Sequence, residues 1–225
     1  MNLYWGIFLL TMLASWLVSA LFERRMKQYS AIRTSMTGRE VAERMLRENG
    51  ITDVQVVSTG GILTDHYNPM NKTVNLSADV YNGATLATMA VAAHECGHAV
   101  QHAVGYVPLR MRSALVPVVN FSARWVTWVI LAGMLVLQQF PQLMLFGIGL
   151  FAMTTLFSFI TLPVEINASA RAINWLEESM LISREDLPKA SAALRAAAYT
   201  YVVAALSSLA TLLYYVAIYL GGSRR

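Results

Sequence analysis

Residues 143–162 read LMLFGIGLFAMTTLFSFITL, and Pro163, Val164 and Glu165 follow at once. An uncharged apolar run of about 20 residues is what a helix needs to cross a hydrocarbon core of about 30 Å. Three more runs qualify on the same ground: 3–22, 116–137 and 199–220. The link 138–142, with Pro141 in it, is short enough to make the second and third runs an antiparallel hairpin. No basic residue precedes the first run, and Glu23, Arg24 and Arg25 follow it in place of a small-residue cleavage site, so it reads as a crossing and not as a signal peptide. Arg124, inside the second run, is read as marking the interface where that helix begins, because a charge at membrane depth is costly. Tyrosines 199, 201, 214, 215 and 219 stand near the ends of the fourth run, as interfacial aromatics do.

Composition agrees with this reading. The 225 residues are 56% hydrophobic and 13% charged, against about 25% charged in an ordinary soluble domain. A free soluble globule, a disordered chain, a collagen-like repeat and a coiled coil are excluded. Cys96 is the single cysteine, so no intramolecular disulfide forms. Four crossings place 23–115 and 163–198 on one side of the bilayer, and the 138–142 link and both termini on the other. Of 17 lysines and arginines, Arg224 and Arg225 alone fall on the second side, with Arg124 inside a run. By the positive-inside tendency the first side is cytosolic. The net charge of +4 is thereby a label of orientation, and no nucleic-acid partner is expected.

Residues 23–115 suffice for a small folded region. Thr37 as N-cap, Glu40 three residues on, Val41, Met45 and Leu46 on one face and Gly50 beyond the end predict a helix over 37–49. A strand is expected over 51–57, a turn-rich stretch over 66–72, a second strand over 73–76 and a long helix over 84–103. The last carries His94-Glu95-Cys96-Gly97-His98. Histidines at i and i+4 project to one side of a helix and can ligate one zinc ion, with the intervening Glu95 as general base.

Two histidines need a third protein ligand and an open position for water. His102 lies on the same face, but His94 and His102 are about 12 Å apart along a straight helix and cannot share one ion. His102 therefore reads as a residue behind the ligands, in the cleft, or on the helix surface. Glu165 is the better third ligand. It is a scarce acid close to the hydrocarbon, which calls for a partner, and it falls on the same side of the membrane as the histidine pair. Cys96 reads as a small buried helix residue, with a redox-sensitive thiol as the alternative.

The run Val91 to Gln101, the upstream Asp65-His66-Tyr67-Asn68-Pro69 with Val74-Asn75-Leu76-Ser77, and Leu162-Pro163-Val164-Glu165-Ile166-Asn167-Ala168-Ser169 resemble the YugP-type neutral zinc metallopeptidases of bacteria, over nearly the whole chain. More distantly the chain is similar to the membrane gluzincins HtpX and the CAAX prenyl proteases, whose third ligand sits in a Glu-x-x-Ala-Asp pattern. Here Ser169 stands where that Asp is expected, and Asn167 or Ser169 is left to orient a zinc histidine.

The resemblance implies a mostly α membrane protein. Four transmembrane helices would accompany a small cytosolic α+β zincin-like metallopeptidase domain with the His-Glu-x-x-His helix, in the bacterial inner membrane. It also implies one Zn2+ per chain on His94, His98 and Glu165, with Glu95 as base, and a polypeptide substrate. The expected activity is an endopeptidase acting on membrane or membrane-associated proteins near the cytosolic face, in membrane-protein quality control. The strand 73–76, with Val74 and Asn75, is expected to be an edge strand that pairs with extended substrate. His66, Tyr67, Arg171, Arg195 and Tyr199 are oxyanion candidates by location. The rivals are a catalytically silent scaffold and a zinc hydrolase of a non-peptide substrate. The polar stretches 68–82 and 105–112 around the helix favour cleavage at the membrane surface over cleavage inside the bilayer.

Overall fold

The computed structural model describes residues 3–222, so Arg224 and Arg225 lie outside the described residues. It is mostly helical, with one small sheet. In chain order the elements are α1 (Leu3–Tyr29), α2 (Gly38–Glu48), β1 (Gln55–Thr59), β2 (His66–Asn68), β3 (Thr73–Ser77), α3 (Ala78–Asn82), α4 (Leu86–Ala103), α5 (Val107–Leu135), α6 (Pro141–Glu178) and α7 (Leu187–Gly222). Helices α1, α5, α6 and α7 are long and apolar enough to cross a membrane. Each extends beyond its apolar run. Hydropathy marks the stretch that lipid accepts, whereas backbone hydrogen bonding continues through any polar turn of adequate helix propensity. Helix α6 accordingly passes through Pro163 without a break, and α5 begins at Val107, ahead of its apolar run and of Arg124.

The chain divides into two compact units. The first is Met1–Leu17, Arg110–Leu162 and Thr200–Arg225. In it α5 and α6 form the expected hairpin, held close by glycine: a Cβ on Gly133 would lie 2.7 Å from Met144 Cα, and one on Gly147 2.8 Å from Ile130 Cδ1. Ile130, Leu137, Met144 and Ile148 form its buried cluster, with Leu212, Tyr215 and Val216 of α7 packed against them.

The second unit is Val18–Leu109 with Pro163–Tyr199. Its helix α2 has the predicted capping box between Thr37 and Glu40. It ends in a Schellman motif, with Gly50 N donating to Arg47 O, Ile51 N to Leu46 O, and Gly50 at φ +71°. Ile51 is consumed by that cap, which is why β1 starts only at Gln55 and not at residue 51. The sheet order is β1-β3-β2, with β1 parallel and β2 antiparallel to β3. Two expectations change here. His66–Asn68, read as turn, is a strand, since its pairing with β3 decides the matter over local turn propensity. The strand containing Val74 and Asn75 has a neighbour on both sides, so it is the central strand and not a substrate-accepting edge. Helix α4 starts at a capping box of Thr85 and Thr88 and stops at Gly105, φ +65°. Met45, Leu76, Leu86, Met89 and Leu176 fill the core between these elements.

Candidate metal centre

Helix α4 carries His94 and His98 one turn apart, and α6 carries Glu165 two residues after Pro163. The two helices approach closely because residue 97 is glycine. A Cβ there would stand 2.5 Å from Ala168 O and 3.2 Å from Ala168 Cα. Ala168 lies three residues beyond Glu165 on the same helix face, so the contact that admits no side chain also brings the carboxylate over the histidines.

The Nε2 atoms of His94 and His98 converge on one oxygen, Glu165 Oε2, at 3.3 Å and 3.6 Å. One candidate ligand atom from each of the three residues lies within 4.8 Å of the others. Ligands 2.0–2.1 Å from a tetrahedral zinc are about 3.4 Å apart, so this donor set of two imidazoles and a carboxylate fits zinc in chemistry and in spacing. Glu165 is 3% exposed, and a carboxylate so buried requires positive charge beside it.

Each histidine is held from behind through Nδ1. Ser169 Oγ lies 3.1 Å from Nδ1 of His94, and Gln101 Oε1 lies 3.0 Å from Nδ1 of His98. Both contacts leave Nε2 facing Glu165, the orientation that an Nε2 metal ligand requires. Gln101 is fully buried and donates through Nε2 to Val164 O at 2.8 Å and to Asn167 Oδ1 at 3.0 Å. Asn167 Oδ1 also accepts from Arg171 Nε at 2.9 Å. The chain His98, Gln101, Asn167, Arg171 therefore ties α4 to α6. Burial on its own would lower the His98 pKa. The hydrogen bond to Glu165 and the charges of Glu95 and Glu165 outweigh it, and the value is raised.

Glu95 is mostly buried, and its Oε2 accepts the backbone N–H of Tyr67 at 3.1 Å. Tyr67 is on β2, an edge strand, so its N–H is free to reach α4. Its hydroxyl meets His102 Nδ1 at 2.7 Å. One residue of β2 thus holds α4 at Glu95 and, two turns on, at His102. His66 turns away, with Nδ1 2.7 Å from Thr64 O. Val74 is buried in the central strand, and Asn75 Nδ2 donates to Thr73 Oγ1 at 2.9 Å. Among the described residues, no hydrogen bond joins Arg195 or Tyr199 to the metal group, and both are exposed on α7. Cys96 points the other way on α4. It is fully buried with Sγ 3.6 Å from Ala42 O, and burial pushes its thiol pKa up, which leaves the redox-sensitive reading without support.

Gln101 and Gly97 are the residues that the sequence reading passed over. The signal for Gln101 is its i+3 spacing from His98; Gly97 has no comparable signal, since glycine is placed there by a neighbour from another part of the chain.

A family model described as "Putative neutral zinc metallopeptidase" matches residues 4–220. The protein named "Putative membrane protease YugP" from Bacillus subtilis (strain 168) is 42% identical over 200 residues, covering 87% of each chain. No solved structure matches.

Proposed function

Since the chain belongs to the YugP-type neutral zinc metallopeptidases, we propose that it is a zinc-dependent endopeptidase of the bacterial inner membrane, acting on membrane or membrane-associated proteins. The observation that carries the reading is the convergence of His94 Nε2 and His98 Nε2 on Glu165 Oε2, beside the carboxylate of Glu95. Zinc bound by these three ligands would activate a water molecule and polarise the scissile carbonyl. Glu95 takes the proton of the attacking water and returns it to the leaving amine. The Tyr67 N–H occupies Oε2 of Glu95 and thereby leaves the other oxygen for proton transfer. Ser169 and Gln101 keep the two imidazoles from rotating.

With β3 central, β2 is the strand that borders Glu95, and extended substrate is assigned to that side of the cleft. Of the five oxyanion candidates, Tyr67 has the support of being bonded to both Glu95 and His102. The zincin-like character of the α4 region, a cytosolic orientation of the site and a role in membrane-protein quality control complete the proposal. The orientation rests on the lysines and arginines gathered in 23–115 and 163–198. Quality control rests on the place of Glu165 on α6, a helix continuous with an apolar span.

The test is zinc content and proteolysis of the purified full-length protein beside His94→Ala and Glu165→Ala. One zinc per chain, cleavage of an unfolded membrane protein, and loss of both in the two variants are expected. Zinc retained in Glu165→Ala would reassign the third ligand. Zinc bound with no hydrolysis would favour a silent scaffold, and hydrolysis of lipid but not of peptide would overturn the peptidase reading.

A further inference from the structure

Helix α5 carries a polar row on a surface where lipid would ask for none. Asn120, Arg124 and Thr127 follow at i, i+4 and i+7, and all three are exposed, in line with exposed Phe121, Trp128 and Leu131. Among the described residues none of the three makes a side-chain hydrogen bond or an ion pair. The apolar members of this face are satisfied by acyl chains. A guanidinium is not, and such a group within a span is expensive unless paired.

The hairpin register sets the depth. Gly133 lies against Met144 and Gly147 against Ile130, so stepping back along α5 matches stepping forward along α6. Arg124 then comes level with Met153, the middle of the uncharged run 143–162. That is about 13 Å from the Leu162 end of the run, farther than an arginine stem comfortably snorkels to a headgroup. A second copy of the chain does not supply the missing charge either, because 3–22, 116–137, 143–162 and 199–220 contain no Asp or Glu.

We infer that the Asn120, Arg124, Thr127 face of α5 docks the transmembrane helix of another membrane protein, one with a carboxylate near the middle of its span. The counter-charge neutralises Arg124, and Asn120 and Thr127 complete the hydrogen bonding one turn to either side. Phe121, Trp128 and Leu131 pack against the apolar remainder. This surface is independent of the zinc site, and its test reads binding and not cleavage.

The experiment uses the full-length protein in phosphatidylcholine vesicles with a fluorescent leucine-rich helix of about 20 residues, carrying at its midpoint Asp, Asn or Leu. Energy transfer from labelled protein to helix reports association. The Asp helix is expected to associate on the order of tenfold more strongly than the all-Leu helix. Arg124→Leu abolishes that preference and Arg124→Lys retains part of it. Zinc content equal to wild type shows that Arg124→Leu is folded. Equal association of the Asp and Leu helices with wild type, or a preference that survives Arg124→Leu, overturns the proposal. So does self-association of labelled copies that is lost in Arg124→Leu, which would assign the face to a homodimer. Displacement of the Asp helix by added phosphatidylglycerol would assign Arg124 to lipid phosphate.

Discussion

Nδ1 of His98 donates to Gln101 Oε1 at 3.0 Å, three residues further along the same helix. The amide can only donate through its nitrogen, and that nitrogen is committed to Val164 O and Asn167 Oδ1. Its oxygen is therefore fixed as an acceptor, and the His98 ring is fixed as an Nδ1–H tautomer with Nε2 free for metal.

Gln101→Leu should weaken zinc binding by about 10- to 100-fold, the usual cost of losing a partner behind a ligand. The ring is freed to rotate, and Asn167 and Val164 O lose a buried donor. Competition with a chelator of known affinity measures it. Affinity equal to wild type would show that packing alone holds His98.

What was legible beforehand follows range. The Thr37–Glu40 capping box, the Gly50 stop and the i, i+4 histidines depend on neighbours within a turn, and each is where local rules place it. Glu165 stood out through scarcity, an acid beside the hydrocarbon, and Ser169 through a departure from a pattern. Gly97 takes its meaning from Ala168 of α6, so no local rule marks it, and Gln101, beyond its i+3 spacing from His98, takes its meaning from Val164 and Asn167 of the same helix. The same holds for β2, three residues long and defined by its pairing, and for β3, whose central place depends on which strands flank it. The α5–α6 register, which pairs Gly133 with Met144 and Gly147 with Ile130, likewise has no counterpart in hydropathy.

Gly97→Ala should separate α4 from α6. The new Cβ would meet backbone atoms of Ala168, which cannot swing aside as a side chain end would. Overpacking of this kind costs about 1–3 kcal/mol, and Glu165 moves away from the histidines. Zinc affinity and thermal stability should fall together. Gly149→Ala, on the same α6 but facing open space, should leave both unchanged.

His102→Ala and Tyr67→Phe each remove the side-chain bond between β2 and α4 while leaving the Tyr67 N–H on Glu95. Zinc content should stay at one per chain. With β2 held at one point in place of two, Glu95 is less well fixed, and kcat should fall by roughly tenfold. A double variant should be little worse than either single one, because both delete the same bond. Additive losses would separate the roles of the two residues. They would point to the Tyr67 hydroxyl contacting substrate directly, as its place among the oxyanion candidates allows.

Glu95→Gln separates binding from chemistry. The amide oxygen can still accept the Tyr67 N–H, so β2 and α4 stay in place, and the three proposed metal ligands are untouched. What disappears is the group that takes a proton. Peptide cleavage should drop by about 10²- to 10⁴-fold, the range associated with a positioned general base, while zinc content and thermal stability remain those of wild type. Cleavage at the wild-type rate would take the general-base role away from Glu95, and a loss of zinc would show that its carboxylate supports the metal ligands as well.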